Sequence, residues 1–442
     1  MRRCRVYKGS FDGQTARVPA SPEPLRSTAP NPPEISQTIW LLAIAAVASS
    51  MSMRLADPML PKIALTFGGV ATDMAGVSTW FSVGYAMLII VQGPLGDRLG
   101  KLNVIMVSSF IAALASLACV LAPALTPLNL FRFINGAACA GLIPLSLAWI
   151  GDNVDIASRQ QTLAGFASAT ISGMVLGQVC GGIIADTIGW RYAFAVPAMV
   201  YLIACVALWR SHGFSASPTP SGDQTKANGL RHACVDTARK YRKLLGDRWS
   251  RTVMSTVWLE GALYYGVIAF VPTFLHEVLG VPLWQAGGLV ALIGLGGFIF
   301  SASARIILKR LSLSRCAAVG GSLYAVGIWM LVGAVSYSGA LGNLGWLPIT
   351  VGCLGVGMGF TMLHNTLQTN ATQMQPEARG TAIAGFVIAL FTGQAIGIAI
   401  SAELIPLAGY QATLSGMALG LGALSLLFAS RIRRRQATNS TG

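Results

Sequence analysis

Long apolar stretches recur between residues 38 and 430, and they constrain the fold of this chain more than any other feature. Two of them, at about residues 77–91 and 104–121, approach the length of a membrane crossing, which takes about 20 apolar helical residues. Charged residues make up 11% of the 442 residues, too few to solvate a soluble surface of this size. Alternating strand-like patterns do not occur. The sequence therefore predicts an all-α polytopic membrane protein.

Twelve apolar stretches can be counted, and polar segments divide them into two sets of six. We expect a disordered cytoplasmic N-terminal segment at residues 1–37 and a basic cytoplasmic linker at residues 210–251. The two six-helix bundles then span residues 38–209 and 252–430, and a basic cytoplasmic tail covers residues 431–442.

The formal net charge of +15 could suggest a nucleic-acid partner, but the placement of the charges argues against it. With twelve crossings, one side of the membrane carries most of the basic residues, including Arg98, Lys101 and those near both termini. The other side holds little beyond Lys62 and Arg191. Because loops rich in lysine and arginine stay in the cytoplasm, both termini are predicted to be cytoplasmic. The partner implied by the charge is the lipid bilayer.

The segment from Gly93 to Lys101 is a charged, glycine-rich link between two apolar stretches. Its pattern Gly-x-x-x-Asp-Arg-x-Gly-Lys, formed by Gly93, Asp97, Arg98, Gly100 and Lys101, resembles the signature loop of the major facilitator superfamily. The resemblance implies a cytoplasmic gate in which the acid meets the positive end of a neighbouring helix, worth about 0.3–1 kcal/mol. Gly93 is expected to let two helices approach closely. The alternative is an ordinary solvated, positively charged turn.

An internal repeat with an offset of 220 residues supports two equivalent halves. The repeated residues are Arg159, Gly165, Phe166, Gly173, Gly177 and Gly189, which recur as Arg379, Gly385, Phe386, Gly393, Gly397 and Gly409. Such a parallel repeat predicts two bundles related by a pseudo-two-fold axis, as in transporters of the superfamily.

A glycine motif lies on the predicted fifth helix, at Gly173, Gly177, Gly181 and Gly182. It resembles the motif that marks antiporters in the superfamily, except that Gln178 stands where the family has proline. The small residues would allow tight helix packing. Gln178 could either face the cavity and bind substrate or belong to the helix-packing surface.

Three charged residues within apolar stretches are candidates for proton coupling. Glu260, near the middle of the seventh helix, is the best candidate for a proton-binding carboxylate, and its alternative role is a structural hydrogen bond. Asp57 is the second candidate, although Arg54 lies three residues away and could pair with it. Arg132 resembles the superfamily motif on the fourth helix, which has been linked to proton coupling, but it could instead snorkel to the outer interface.

A polar patch on the predicted tenth helix completes the candidate sites. It contains His364 and Asn365, which could line a cavity or form hydrogen bonds between helices. The four histidines are scattered and no metal-binding pattern occurs, so neither a metal nor another cofactor is expected.

These features favour a secondary transporter that exports a small organic compound, drug-like or a metabolite, in exchange for protons. The resemblance points to the twelve-helix drug:proton antiporter branch, and no nucleotide-binding motif is present, so the proton gradient is the expected energy source. We expect a monomer in a bacterial inner membrane, and not an enzyme. The alternatives are a symporter for a sugar or organic acid and, from another class, a membrane-embedded transferase or a non-transporting sensor.

Overall fold

The computed structural model of the chain describes residues 32–214, 239, 242–336, 345–374 and 379–440. Within these residues, all regular secondary structure is helical. The first half contains α1 (Pro32–Arg54), α2 (Leu60–Phe67), α3 (Gly76–Leu99), α4 (Lys101–Val120), α5 (Leu125–Cys139), α6 (Leu142–Asn153), α7 (Ile156–Thr187), α8 (Trp190–Ala193) and α9 (Ala195–His212). The second half contains α10 (Arg248–Ile268), α11 (Val271–Leu279), α12 (Leu283–Arg310), α13 (Leu313–Ser336), α14 (Trp346–Gln373) and α15 (Arg379–Ser440). Short 3₁₀ turns, Asp57–Met59 and Ala71–Ala75, connect α1, α2 and α3.

Eleven segments of the described chain are long and apolar enough to cross a membrane. The last of them, Thr381–Ala437, is 57 residues long and is broken at Gly409, where φ is 80° and ψ is 163°. Glycine adopts this backbone conformation without the strain that a side chain would add. The break divides α15 into two helices. The described chain therefore contains twelve candidate crossings, one more than the eleven continuous segments. The predicted all-helical membrane fold is confirmed.

The helices pack mainly within their own halves. In the first half α1 contacts α7 and α9, and α5 contacts α3 and α4. In the second half α15 contacts α10 and α13, and α14 contacts α12 and α13. The principal contacts between the halves are those of α7 with α12 and of α3 with α15. The interface between the halves is therefore formed mainly by two helix pairs.

The repeated glycines pack in the same way in both halves. An added Cβ at Gly177 would lie 2.5 Å from the backbone oxygen of Met51, and one at Gly397 would lie 2.1 Å from that of Ala262. The neighbouring contacts are Gly173 with Val47, Gly181 with Leu55 and Gly393 with Trp258. In each half these glycines therefore bring the repeat helix against the first long helix, α1 or α10, at a distance that no side chain permits.

Several predicted boundaries differ from those of the structure. Helix α1 begins at Pro32 and not at residue 38, because prolines fit the first helical turn, where no intrahelical acceptor is available for an N–H group. Residues 1–31 and most of the predicted linker lie outside the described residues. Helix α15 continues beyond residue 430 to Ser440, where the guanidinium of Arg435 lies 4.4 Å from the ring centroid of Trp249.

Candidate functional site

Asp57 is a fully buried carboxylate in the 3₁₀ turn that follows α1. Nη1 of Arg54 lies 3.0 Å from its Oδ2, and the hydroxyl of Ser78 donates to its Oδ1 at 2.8 Å. Nε2 of Gln178 approaches Oδ2 at 3.4 Å. The structure therefore places Arg54 beside Asp57 as their spacing suggested, and it directs Gln178 toward this carboxylate. Both oxygens of Asp57 are occupied by partners from the first half.

Arg54 also reaches the second half of the molecule. Its guanidinium carbon lies 4.3 Å from the ring centroid of Tyr265 on α10, a cation–π geometry. Its Nη2 is buried and has no hydrogen-bond partner among the described residues. The charged pair thus lies where the two halves meet, a position that the spacing of Arg54 and Asp57 alone does not reveal.

Glu260 on α10 pairs with His364 on α14. Nδ1 of His364 lies 3.1 Å from Oε2 of Glu260, whereas Oε1 is buried with no hydrogen-bond partner among the described residues. The side chain of Glu260 is fully buried, but that of His364 is 20% exposed. A half-satisfied buried carboxylate therefore touches a side chain that is partly exposed. The adjacent Asn365 is only partly buried, and its side chain forms no hydrogen bond with the described residues.

Aromatic rings surround the imidazole of this pair. The ring centroid of Phe360 lies 5.2 Å from that of His364, and Phe386 meets it at 5.3 Å. Tyr264 stacks on the other side of Phe360 at 3.6 Å. These rings fix the orientation of the imidazole and make the surroundings of Glu260 apolar, which raises the cost of leaving its carboxylate charged and unpaired.

Arg132 is enclosed within the first half, with 1% of its surface exposed, so the snorkelling alternative is wrong. Its Nε donates to the backbone oxygen of Val77 at 2.9 Å, and its guanidinium lies 4.5 Å from the ring centroid of Phe81. Its Nη1 donates to Oδ1 of Asn135 at 3.5 Å, and Nδ2 of Asn135 donates to the backbone oxygen of Ala112 at 2.9 Å. Backbone and aromatic partners stabilise the buried charge here, because α5 turns this face toward α3 and α4.

The halves also meet through two side-chain contacts between α3 and α15. Nε2 of Gln394 donates to the hydroxyl of Ser82 at 2.8 Å. About one turn away, Tyr85 of α3 stacks on Phe391 of α15, with ring centroids 3.9 Å apart and planes at 6°. The sequence analysis missed this contact, for which the only local signal was a glutamine within an apolar stretch.

The predicted gating segment, Gly93 to Lys101, is mostly helical and does not form a loop. Helix α3 continues through Asp97 and Arg98, and Gly100, with φ of 89°, is the single residue before α4. Asp97 and Arg98 are exposed and form no hydrogen bond or ion pair with the described residues, whereas Lys101 pairs with Asp152.

The expected close approach at Gly93 is wrong, because no atom lies within 4 Å of an added Cβ there. Three residues later, a Cβ on Gly96 would lie 2.5 Å from the side chain of Leu145, so the glycine face here meets a side chain and not a helix backbone. In the described part of the chain, no group of three or more histidine, cysteine or acidic residues could hold a metal ion.

Comparison with known proteins gives three consistent findings. A family model described as the Major Facilitator Superfamily matches residues 42–397. The uncharacterized transporter YgaY of Escherichia coli O157:H7 is 25% identical over 422 residues, which cover 93% of this chain and 100% of YgaY. The multidrug export protein EmrB of Haemophilus influenzae is 28% identical over 172 residues, covering 39% of this chain and 34% of EmrB. The matched region is thus about a third of that relative's length.

Among solved structures, the nucleoside transporter NupG resembles this chain with a TM-score of 0.70. The similarity covers 89% of this chain and 99% of the NupG chain at 13% sequence identity. At this level of identity the likeness concerns the fold alone.

Proposed function

Because the family model spans most of its length, this chain belongs to the major facilitator superfamily, and we propose that it exports a small organic compound in exchange for protons. Membership makes it a membrane transporter and confirms the predicted resemblance to the superfamily. The direction of transport is inferred from relatives such as EmrB, which is named a multidrug export protein. In this proposal the two halves are six-helix bundles related by a pseudo-two-fold axis, and they rock about a central site.

The pair of Glu260 and His364 is the observation that carries the proposal. A transporter that exchanges substrate for protons needs a group whose charge can change within the membrane, and intramembrane carboxylates commonly have this role. Oε1 of Glu260 has no partner among the described residues, so it can accept a proton without breaking an existing hydrogen bond. His364, which contacts the other oxygen of Glu260 and is partly exposed, is the group through which this proposal lets the proton leave.

Asp57 is less suited to the same task. Its two carboxylate oxygens already accept from Arg54 and Ser78, and protonation would leave the buried guanidinium of Arg54 without its anion. We therefore assign proton exchange to Glu260 and a structural part to Asp57 and Gln178. The proton gradient supplies the energy, no cofactor takes part, and a monomer in a bacterial inner membrane with cytoplasmic termini is sufficient.

Proton flux in proteoliposomes tests this assignment. The purified protein is reconstituted with a pH-sensitive dye inside the vesicles, a proton gradient is imposed, and cationic, neutral and anionic compounds are added in turn. We expect at least one compound to dissipate the gradient with the wild type, and Glu260→Gln to reduce this flux at least about tenfold, since glutamine cannot carry the proton. Glu403→Gln is the matched control, because Glu403 is exposed and forms no hydrogen bond or ion pair with the described residues.

Three outcomes decide the matter, provided that thermal unfolding shows both variants to be folded. Loss of flux in Glu260→Gln alone supports the proposal. Full flux in Glu260→Gln would contradict the role of Glu260. Accumulation of a sugar or organic acid together with protons would overturn export and identify a symporter instead.

A further inference from the structure

Helix α12 is capped by a residue of the other half of the molecule. Oδ2 of Asp186, near the end of α7, accepts a hydrogen bond from the backbone N–H of Trp284 at 3.0 Å. Trp284 is the second residue of α12, and its N–H has no intrahelical acceptor. The residue before α12 is Pro282, whose side chain cannot accept a hydrogen bond. Asp186 therefore supplies from the first half the cap that α12 lacks in its own sequence.

A lysine occupies the second oxygen of this carboxylate. Nζ of Lys62 on α2 lies 3.6 Å from Oδ1 of Asp186, whose side chain is 16% exposed. The negative charge is thus held between a cation of its own half and the positive N-terminal end of α12. Such charge-assisted hydrogen bonds are stronger than those between neutral groups, so this contact favours the joined halves.

The helix backbones approach closely next to this contact. An added Cβ at Gly182 would lie 2.4 Å from the backbone oxygen of Leu283, and one at Gly287 would lie 2.5 Å from that of Gln178. Gly182, which the sequence analysis grouped with the packing glycines of α7, thus faces the second half. The short side chain of Asp186 reaches Trp284 because these glycines leave room for it.

The opposite ends of the same helices do not form such contacts. Ile156 at the start of α7 is 84% exposed, and Ile306 near the end of α12 is 63% exposed. Asp97, at that end of α3, has no partner among the described residues. Among the described residues, the contact of Asp186 with Trp284 therefore joins α7 to α12 at one end, and no hydrogen bond or ion pair joins these helices at the end that lies toward Asp97. By the predicted topology the joined end is extracellular.

We infer that Asp186 is a positioning residue of the transport cycle, which holds the extracellular end closed by capping α12 and must release it before that end can open. The inference rests on alternating access, as in the proposed function, but it does not depend on the substrate, the direction of transport or Glu260. Opening breaks the bond between Asp186 and Trp284, and water then takes its place at both groups.

Distances between spin labels test the inference directly. In a variant whose eight cysteines are replaced by serine or alanine, one pair of labels is placed at Leu65 and Leu407, exposed residues of the two halves at the joined end. A second pair is placed at Leu99 and Leu308, at the opposite end. For the first pair, we expect Asp186→Asn to raise the ratio of the molecules with the longer distance to those with the shorter distance. The expected increase is about tenfold, equivalent to about 1.4 kcal/mol. The second pair should shorten in parallel.

Asp73→Asn is the matched control, because Asp73 lies at the same end but bonds within its own half, to the backbone N–H of Val70. Unchanged distances in Asp186→Asn, or an equal change in Asp73→Asn, would overturn the inference. If the cysteine-free protein does not fold, hydrogen exchange of the α12 N-terminus in the native-cysteine protein replaces the labels. Exchange there should then be faster in Asp186→Asn than in Asp73→Asn, and equal rates would overturn the inference. If the proton flux assay shows no export but Asp186→Asn still opens the extracellular end, the proposed function is refuted and the inference about Asp186 stands.

Discussion

Replacement of Gly177 by valine is expected to prevent most of the protein from folding. A Cβ at this position would lie 2.5 Å from the backbone oxygen of Met51, and a backbone atom within a packed helix cannot move aside as a flexible side chain can. Overpacking typically costs about 1–3 kcal/mol and occasionally more, and a clash with a backbone atom that cannot move belongs at the upper end, a large part of the stability of a typical protein. The measurement is the yield of monodisperse protein by size-exclusion chromatography, followed by its thermal unfolding.

The matched control is Gly165→Val on the same helix. Gly165 is exposed, and no atom lies within 4 Å of an added Cβ there. This variant should fold almost as well as the wild type, because its side chain only meets lipid or water. Equal yields of the two variants would show that the contact between α1 and α7 is not as close as the structure has it.

Neutralising one member of the pair of Arg54 and Asp57 should destabilise the protein more than neutralising both. Asp57→Asn leaves the guanidinium of Arg54 buried without its anion, and Arg54→Met leaves the carboxylate of Asp57 without its cation. Breaking a buried pair from one side costs about 3–5 kcal/mol, whereas replacing both charges is often close to neutral. A double-mutant cycle on thermal stability should therefore give a large coupling energy, with the double variant more stable than either single one.

The pair of Lys101 and Asp152 provides the comparison for this cycle. Its side chains are 22% and 57% exposed, so water screens the interaction. The same cycle with Lys101→Met and Asp152→Asn should give a coupling energy of about 0.2–1 kcal/mol. A double variant of Arg54 and Asp57 that is no more stable than the worse single variant would contradict the structural role assigned to this pair.

Residue spacing in the sequence was sufficient to predict the glycine packing faces, the equivalence of the two repeats and the pairing of Arg54 with Asp57. The four-residue spacing of Gly173, Gly177 and Gly181 places them on one helix face, and that face packs against α1. The repeat offset correctly paired Gly177 with Gly397, which pack in equivalent ways. The spacing of Arg54 and Asp57 likewise brought their charges together.

Contacts between distant parts of the chain were not predictable in this way. His364 lies 104 residues from Glu260, and Gln394 lies 312 residues from Ser82, so only the packing of whole helices decides these partners. The sequence also does not show how a helix is rotated about its own axis relative to its neighbours. Gly93 and Gly96 differ by roughly 60° around α3, and the sequence does not show which of them faces Leu145. The partner of Asp186 is a backbone group, which carries no sequence signal.

The single-residue connection at Gly100 has a mechanical consequence. Helix α3 carries Ser82 and Tyr85, which contact the second half, and no flexible loop separates it from α4. Lys101, the first residue of α4, is tied in turn to Asp152 at the end of α6. A force applied to α3 when the halves part is therefore passed directly to α4 through Gly100, whereas the solvent-screened pair of Lys101 and Asp152 couples α6 only weakly. Movement of Ser82 and Tyr85 with the second half should therefore be accompanied by movement of α4, even though α4 makes neither of these contacts.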